Sequence, residues 1–198
     1  MCRLLETIRS ENGVLQNLSW HQARLDYARK MLFKSFQQFS LDELVVPEEF
    51  KKGLCKCRVI YAKDFENVEF SVYHLPKIQS LKLVVNDEID YHHKFADRSE
   101  IQKLFEKRGL ADDILIIKNG LITDSSYTNI LFFDGEYWLT PKQPLLMGVQ
   151  RAVLIHAKKI IPTEIRPADL VHFTKARLIN AMIRFEDELD LSIRTNIS

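Results

Sequence analysis

Residues 112–151 read DDILIIKNGLITDSSYTNILFFDGEYWLTPKQPLLMGVQR. Ile114–Lys118 is an apolar run of strand length that stops at Asn119-Gly120, a pair whose tolerance of positive φ favours the type I′ turns of tight hairpins. Asn129–Phe133 and Tyr137–Thr140 are two more strand-like runs, placed on either side of Asp134-Gly135, a second such pair. Two consecutive hairpins are expected. Pro141 and Pro144 end the sheet segment because proline cannot donate to a ladder. Gly148 is expected to open a helix running to about Lys159.

Upstream, the polar stretch YHHKFADRS from Tyr91 leads into a helical pattern with Ile101, Leu104 and Phe105 on one face, closed near Gly109. Earlier still, Leu25, Ala28, Leu32 and Phe36 recur at helical spacing between Trp20 and about Phe39, with Ser19 placed as an N-cap. Leu54–Tyr61, Val68–His74 and Leu81–Val85 have strand length and are bounded by Gly, Asn, Asp or Pro. Downstream, the apolar run Ala176–Ile183 fits strand or helix. The pattern predicts an α/β (α+β) fold of two lobes: a small α/β lobe over residues 1–90 and a larger, β-rich lobe over 91–198.

The chain has 198 residues, 46% hydrophobic and 28% charged, enough to bury a core. Its 28 Lys and Arg nearly balance 27 Asp and Glu without a block of like charge, which argues against a nucleic-acid or membrane partner and for a small molecule. No stretch has the apolar length of a signal peptide or a membrane span, so a cytoplasmic protein is expected. Cys2, Cys55 and Cys57 form no even framework and are expected to stay reduced. In LCKCRVIY the thiols of Cys55 and Cys57 point to one face of a strand, and no further ligands are spaced to make a metal site, so none is expected.

No single residue announces a reaction. Lys94 lies between His92-His93 and Asp97-Arg98, which by itself reads as a charged loop entering a helix. Ser125-Ser126 lacks the G-x-S-x-G elbow of a hydrolase. In order, however, Leu5-Glu6-Thr7-Ile8-Arg9, His21-x-x-Arg24-Leu25, Lys94-x-x-Asp97-Arg98, Asp112–Ile116 with Gly120-x-x-x-Asp124 and Asn129-Ile130, Leu139-Thr140-Pro141 and Gly148-Val149-Gln150-Arg151 resemble the class IV aminotransferases, the fold-type IV pyridoxal phosphate enzymes. The resemblance runs from about residue 5 to about residue 182, and 112–151 is its most specific part.

The resemblance implies pyridoxal 5'-phosphate as cofactor, with Lys94 as the catalytic lysine that bonds its aldehyde and then serves as a base. A lowered amine pKa would be required, from burial and cations such as Arg98. It also implies that Arg24 grips the phosphate as a planar bidentate donor. Gly148, Val149 and Gln150 would form the turn whose amides hold the same phosphate. Asp124 would be the acid paired with the pyridine nitrogen, and Asn180 and Ala181 would lie near the cofactor. Arg98, Ser125 and Ser126 would lie close to the substrate. Three departures stand out. Asp replaces the usual Glu at 124, shortening the side chain by one methylene, roughly 1.5 Å. Gln150 replaces the usual Thr. The chain also starts almost at the end of the family's D-G-x-F-E-T segment, so a trimmed small lobe is expected.

Lys94-x-x-Asp97-Arg98 and Asn180-Ala181-Met182 resemble the aminodeoxychorismate lyases, which release pyruvate and p-aminobenzoate for folate synthesis. The transaminases of branched-chain or D-amino acids are the alternative. A module that binds pyridoxal phosphate without turnover is a third possibility, suggested by Asp124 and the short N-terminus. A small-molecule amine substrate, and a homodimer with sites near its interface, complete the expectation.

Overall fold

The computed structural model describes residues 2–35 and 39–197. The chain divides into two compact units, one formed by the residues up to Leu75 with His93–Asp97, the other by Pro76–His92 with the chain from Arg98 onward. The division therefore does not fall at residue 90. Leu81–Val85, expected in the small lobe, pairs with Asp113–Ile117 and belongs to the larger unit, while His93–Asp97 returns to the smaller one.

The first unit is built on β1 (Leu4–Glu11), β2 (Val14–Leu15), α1 (Leu18–Phe33), β3 (Leu54–Tyr61) and β4 (Phe65–Val72), with sheet order β2-β1-β3-β4 and antiparallel neighbours. In β3 the buried positions are Cys55, Cys57, Val59 and Tyr61, alternating with half-buried ones as the two-residue period of a strand demands. Both thiols thus share the inner face and are free. α1 lays Leu25 and Ala28 against Leu4, Ile8, Cys57, Val59 and Tyr61. Each large apolar side chain so buried contributes about 1.5–3 kcal/mol.

The helix departs from expectation at both ends. Asn17, with φ 56°, precedes its first turn, so Ser19 lies inside the helix instead of capping it. Lys34 enters the left-handed region at φ 53° and ends it well short of Phe39, while Phe36 lies outside the described residues. β4 begins earlier and ends earlier than the expected Val68–His74.

β1 escaped the sequence reading altogether. Its segment LLETIRSE looks polar, yet Glu6, Arg9 and Ser10 are as buried as Leu4 and Ile8. β3 covers one edge of β1 over its full length. On the other edge β2 covers Ser10 and Glu11, and His93–Asp97 covers the start, with Leu5 N donating to Lys94 O and Ala96 N to Arg3 O, both at 2.9 Å. This pairing sets the backbone of Lys94 beside Leu5.

The second unit contains β5 (Leu81–Val85), α2 (Ser99–Phe105), β6 (Asp113–Lys118), β7 (Leu121–Ser125), β8 (Asn129–Phe133), β9 (Trp138–Pro141), α3 (Val149–His156), β10 (Ile161–Thr163), β11 (Lys175–Ile179) and β12 (Asp190–Ser192). The sheet runs β10-β9-β8-β7-β6-β5, with β11 bridging β8 and β12. β5 with β6 and β9 with β10 are parallel; the other pairs are antiparallel. Ile117, Ile122, Ile130, Phe132 and Leu178 are central to its core. The open choice for Ala176–Ile183 resolves as strand, ending at Ile179.

Asn119 and Gly120 both take positive φ, 52° and 74°, as a type I′ turn requires. The strand that follows, β7, was not expected and makes the first hairpin with β6. Asp134-Gly135 turns differently. Asp134 Oδ1 accepts the amides of Glu136 and Tyr137, so the side chain closes the turn and only Gly135 has positive φ. No described helix is long and apolar enough to cross a membrane, and no described group of His, Cys, Asp and Glu could hold a metal ion.

Candidate functional site

In the first unit α1 presents His21 and Arg24, one turn apart, to Glu6 on β1. Glu6 is fully buried. Arg24 donates to it twice, Nε to Oε1 at 2.9 Å and Nη2 to Oε2 at 2.5 Å, and His21 Nδ1 lies 2.6 Å from Oε2. Burial alone would raise the carboxyl pKa, but Arg24 and His21 hold it down at about 2. Burial pushes the His21 pKa below its ordinary value, and the charges of Arg24 and Lys94 add to that, against the pull of Glu6. Facing an ionised Glu6, His21 Nδ1 is the donor to the carboxylate, and its buried Nε2 has no hydrogen-bond partner. Lys94 is half-buried in the same unit. The unit thus offers an amine whose charge is felt at His21, and a guanidinium whose plane is fixed, groups suited to moving a proton and holding an anion.

In the second unit the C-terminal half of β7 carries Thr123, Asp124 and Ser125, all buried. A one-residue register shift between β6 and β7 lies beside them, the kind of bulge that re-aims side chains. Asp124 Oδ1 accepts from Asn129 Nδ2 and Oδ2 from Leu146 N, both at 2.9 Å. Burial lifts its pKa to about 6, against these bonds and the charge of Arg151. Asn129 Nδ2 also donates to Leu146 O, 2.9 Å away, so one carboxamide ties the acid to the chain entering α3. Arg151 is anchored on Pro141 O at 2.8 Å.

Gly148 is the N-cap residue of α3 and has extended backbone. Its glycine is required by contact: a Cβ there would stand 2.0 Å from Asn129 Oδ1. No side chain caps α3 and no acid occupies its first turn, so its leading amides, those of the buried Val149 and Gln150 among them, present the positive end of the helix.

The remaining expected residues have local roles. Arg98 Nη2 donates to Ser126 O at 2.7 Å. Ser125 Oγ contacts Thr128 Oγ1 at 2.7 Å and accepts the Thr128 amide, closing the turn between β7 and β8. Asn180 Oδ1 accepts the amides of Met182 and Ile183 and so shapes the turn around Ala181 after β11. The structure thus gathers Arg24 and Lys94 in one unit, and Asp124, Gly148, Val149 and Gln150 in the other. The sequence reading assigned no role to Glu6, His21, Asn129 or Arg151. The first two were visible in the motif, but nothing in their spacing revealed that they meet.

The raised pKa of Asp124 has a testable consequence. A carboxyl whose folded pKa exceeds its unfolded value of 3.8 contributes stability that is fully present below pH 3.8 and is lost as pH rises through about 6. The stability of the wild type relative to Asp124→Asn is therefore expected to decline between pH 4 and pH 7 by on the order of 3 kcal/mol. Urea denaturation of both proteins at several pH values measures it; parallel pH profiles would show that Asp124 does not titrate in this window.

The profile of the amino-transferase class IV family matches residues 90–185. An uncharacterised protein from Haemophilus influenzae is 38% identical over 187 residues, which is 92% of this chain and 98% of that relative. A candidate 4-amino-4-deoxychorismate lyase from Haemophilus somnus is 35% identical and superposes with a TM-score of 0.87, covering 93% of this chain and 98% of its own. A hypothetical aminotransferase from Mycobacterium tuberculosis, in its PLP-bound form, shares the fold at 15% identity with a TM-score of 0.73, covering all of this chain and 81% of its own.

Proposed function

We propose, from the premise that this chain belongs to the class IV aminotransferase family, that it is a pyridoxal 5'-phosphate-dependent lyase removing pyruvate from a 4-amino-4-deoxychorismate-type amine. The observation that carries the lyase reading is the 35% identity, over nearly the whole length, to the Haemophilus somnus candidate lyase. The lyase-like order Lys94-x-x-Asp97-Arg98 agrees with it.

The groups on this chain suit that cofactor. In the first unit Arg24, with its plane set by Glu6, is a donor suited to a phosphate dianion; in the second, the uncapped amides of α3 are donors of the same kind. Asp124 is a buried acid whose oxygens accept from Asn129 and from the backbone at Leu146, which fixes the carboxyl's orientation. With a pKa near 6 it can be a carboxylate at neutral pH and hold a proton on a pyridine nitrogen. Lys94 brings the primary amine.

Once bound, the cofactor supplies an aldehyde for amines and a ring that accepts electrons from the adjacent carbon. Lys94 Nζ takes the proton from the amine-bearing carbon of the substrate. Loss of the enolpyruvyl group leaves an aromatic ring, and Lys94 Nζ gives the same proton to the departing enolpyruvate, so no net proton is consumed. Asp124 would hold a proton at the ring nitrogen and Arg24 would hold the phosphate, each limiting the movement of the group on which Lys94 acts.

Purified protein incubated with 4-amino-4-deoxychorismate is expected to release p-aminobenzoate and pyruvate in equal amounts. Exchange of amino groups between amino and keto acids, without p-aminobenzoate, would replace the lyase with a transaminase. A protein that takes up the cofactor but does neither would be a binding module.

A further inference from the structure

We infer that Glu6 and His21 are positioning residues that aim Arg24 at a phosphate, so that discrimination between the phosphorylated and unphosphorylated cofactor aldehyde depends on a carboxylate that never touches either. The inference rests on the pyridoxal phosphate reading and adds to it the residues that set the grip.

An ionised carboxylate with no exposed surface is costly to desolvate, and apolar residues in the place of a buried ion pair often leave a fold as stable or more so. Stability is therefore a poor reason for Glu6. What the arrangement does supply is orientation. Side-on bonds from Nε and Nη2 to the two oxygens of Glu6 fix the guanidinium in the plane of the carboxylate. A free arginine would have to surrender its rotamer freedom when the anion arrives; this one has already surrendered it. Two of the guanidinium's donors are thereby committed to Glu6, so its plane is set before any oxyanion approaches.

Exposure follows the same order. The Arg24 side chain is 16% exposed, whereas those of Glu6 and His21 are 0% and 1%. Arg24 is thus the most exposed member of the trio and the one placed to meet a ligand, while the carboxylate is buried. His21 Nδ1 lies 2.6 Å from Oε2 as well, so the carboxylate that orients Arg24 is itself tied to α1 by a second side chain. Because the Glu6 and Arg24 charges cancel, the attraction for a phosphate is expected to depend on geometry more than on net charge.

The test is to titrate the full-length apoprotein with pyridoxal 5'-phosphate and, separately, with pyridoxal, following absorbance. The wild type should prefer the phosphorylated form strongly. Glu6→Gln should weaken pyridoxal phosphate about 10–100-fold, the range for losing a hydrogen bond to a charged group, and change pyridoxal less than about threefold. If both ligands weaken equally, or the preference is unchanged, Glu6 is structural only and the inference fails. If the wild type binds neither, the cofactor reading itself fails, a different and recognisable outcome. Should Glu6→Gln not fold, Glu6→Asp keeps the charge but withdraws the carboxylate by one methylene. An unaltered preference in that variant would overturn the inference as well.

Discussion

Lys94→Ala protein should retain no cofactor after borohydride reduction and should turn over its substrate at least roughly 10⁴-fold more slowly than the wild type, the upper range for loss of a general base. The expected loss is large because the proposed mechanism gives one amine two tasks, capture of the aldehyde and movement of a proton at carbon. In the first unit Lys94 is held by its own backbone, whose carbonyl accepts from Leu5 N at 2.9 Å. That backbone bond does not depend on the side chain, and circular dichroism of Lys94→Ala should match the wild type. Lys94→Arg should be equally inactive, since a guanidinium keeps the charge but cannot be deprotonated to act as nucleophile or base. Peptide mass spectrometry after reduction should find the wild-type adduct on the Lys94 peptide and none in either variant. An adduct on another lysine, with activity within tenfold of wild type, would remove Lys94 from the mechanism.

Gly148→Ala should destabilise the protein by about 2–4 kcal/mol, combining the overpacking of a tight site with a buried polar group left unpaired. The new Cβ would lie 2.0 Å from Asn129 Oδ1 and 3.1 Å from its Cγ. Asn129 cannot give way cheaply, because its amide donates to Asp124 Oδ1 and to Leu146 O. Displacing it releases one bond of the buried acid and loosens the chain entering α3 together. For a chain of this length the shift in Tm should be roughly 4–16 °C. The double variant Gly148→Ala/Asn129→Ser makes room for the methyl group and should cost clearly less than the two single changes added together. Strict additivity in thermal melts would show that Gly148 and Asn129 do not act on one another.

Much of the fold was legible because its signals are local. Asn119-Gly120 demanded a turn of one hand, and the backbone adopts it. Leu54–Tyr61 and Leu81–Val85 were found to the residue, and α3 begins after Gly148 as expected. The motif order from Glu6 to Arg151 pointed to the family that the matched profile and the 35%-identical solved structure support. The misses have physical causes. β1 was overlooked because Glu6, Arg9 and Ser10 break an apolar pattern that burial within a sheet does not require when the polar groups find partners. β7 was overlooked because Thr123, Asp124 and Ser125 read as loop; Thr123 Oγ1 bonds Ile116 O and Asp124 bonds Asn129, so the strand stays buried.

The order of residues along the chain was enough to point to the family and to the approximate place of each hairpin, since these depend on residue type at short separation. It could not reveal that Glu6 meets Arg24 and His21 across fifteen or more positions, nor that Asn129 stands against Gly148 while holding Asp124. Those meetings are made by strand register and helix packing. They exist only when distant segments are brought within hydrogen-bond reach and water is excluded, and there the pKa of Glu6 falls and that of Asp124 rises.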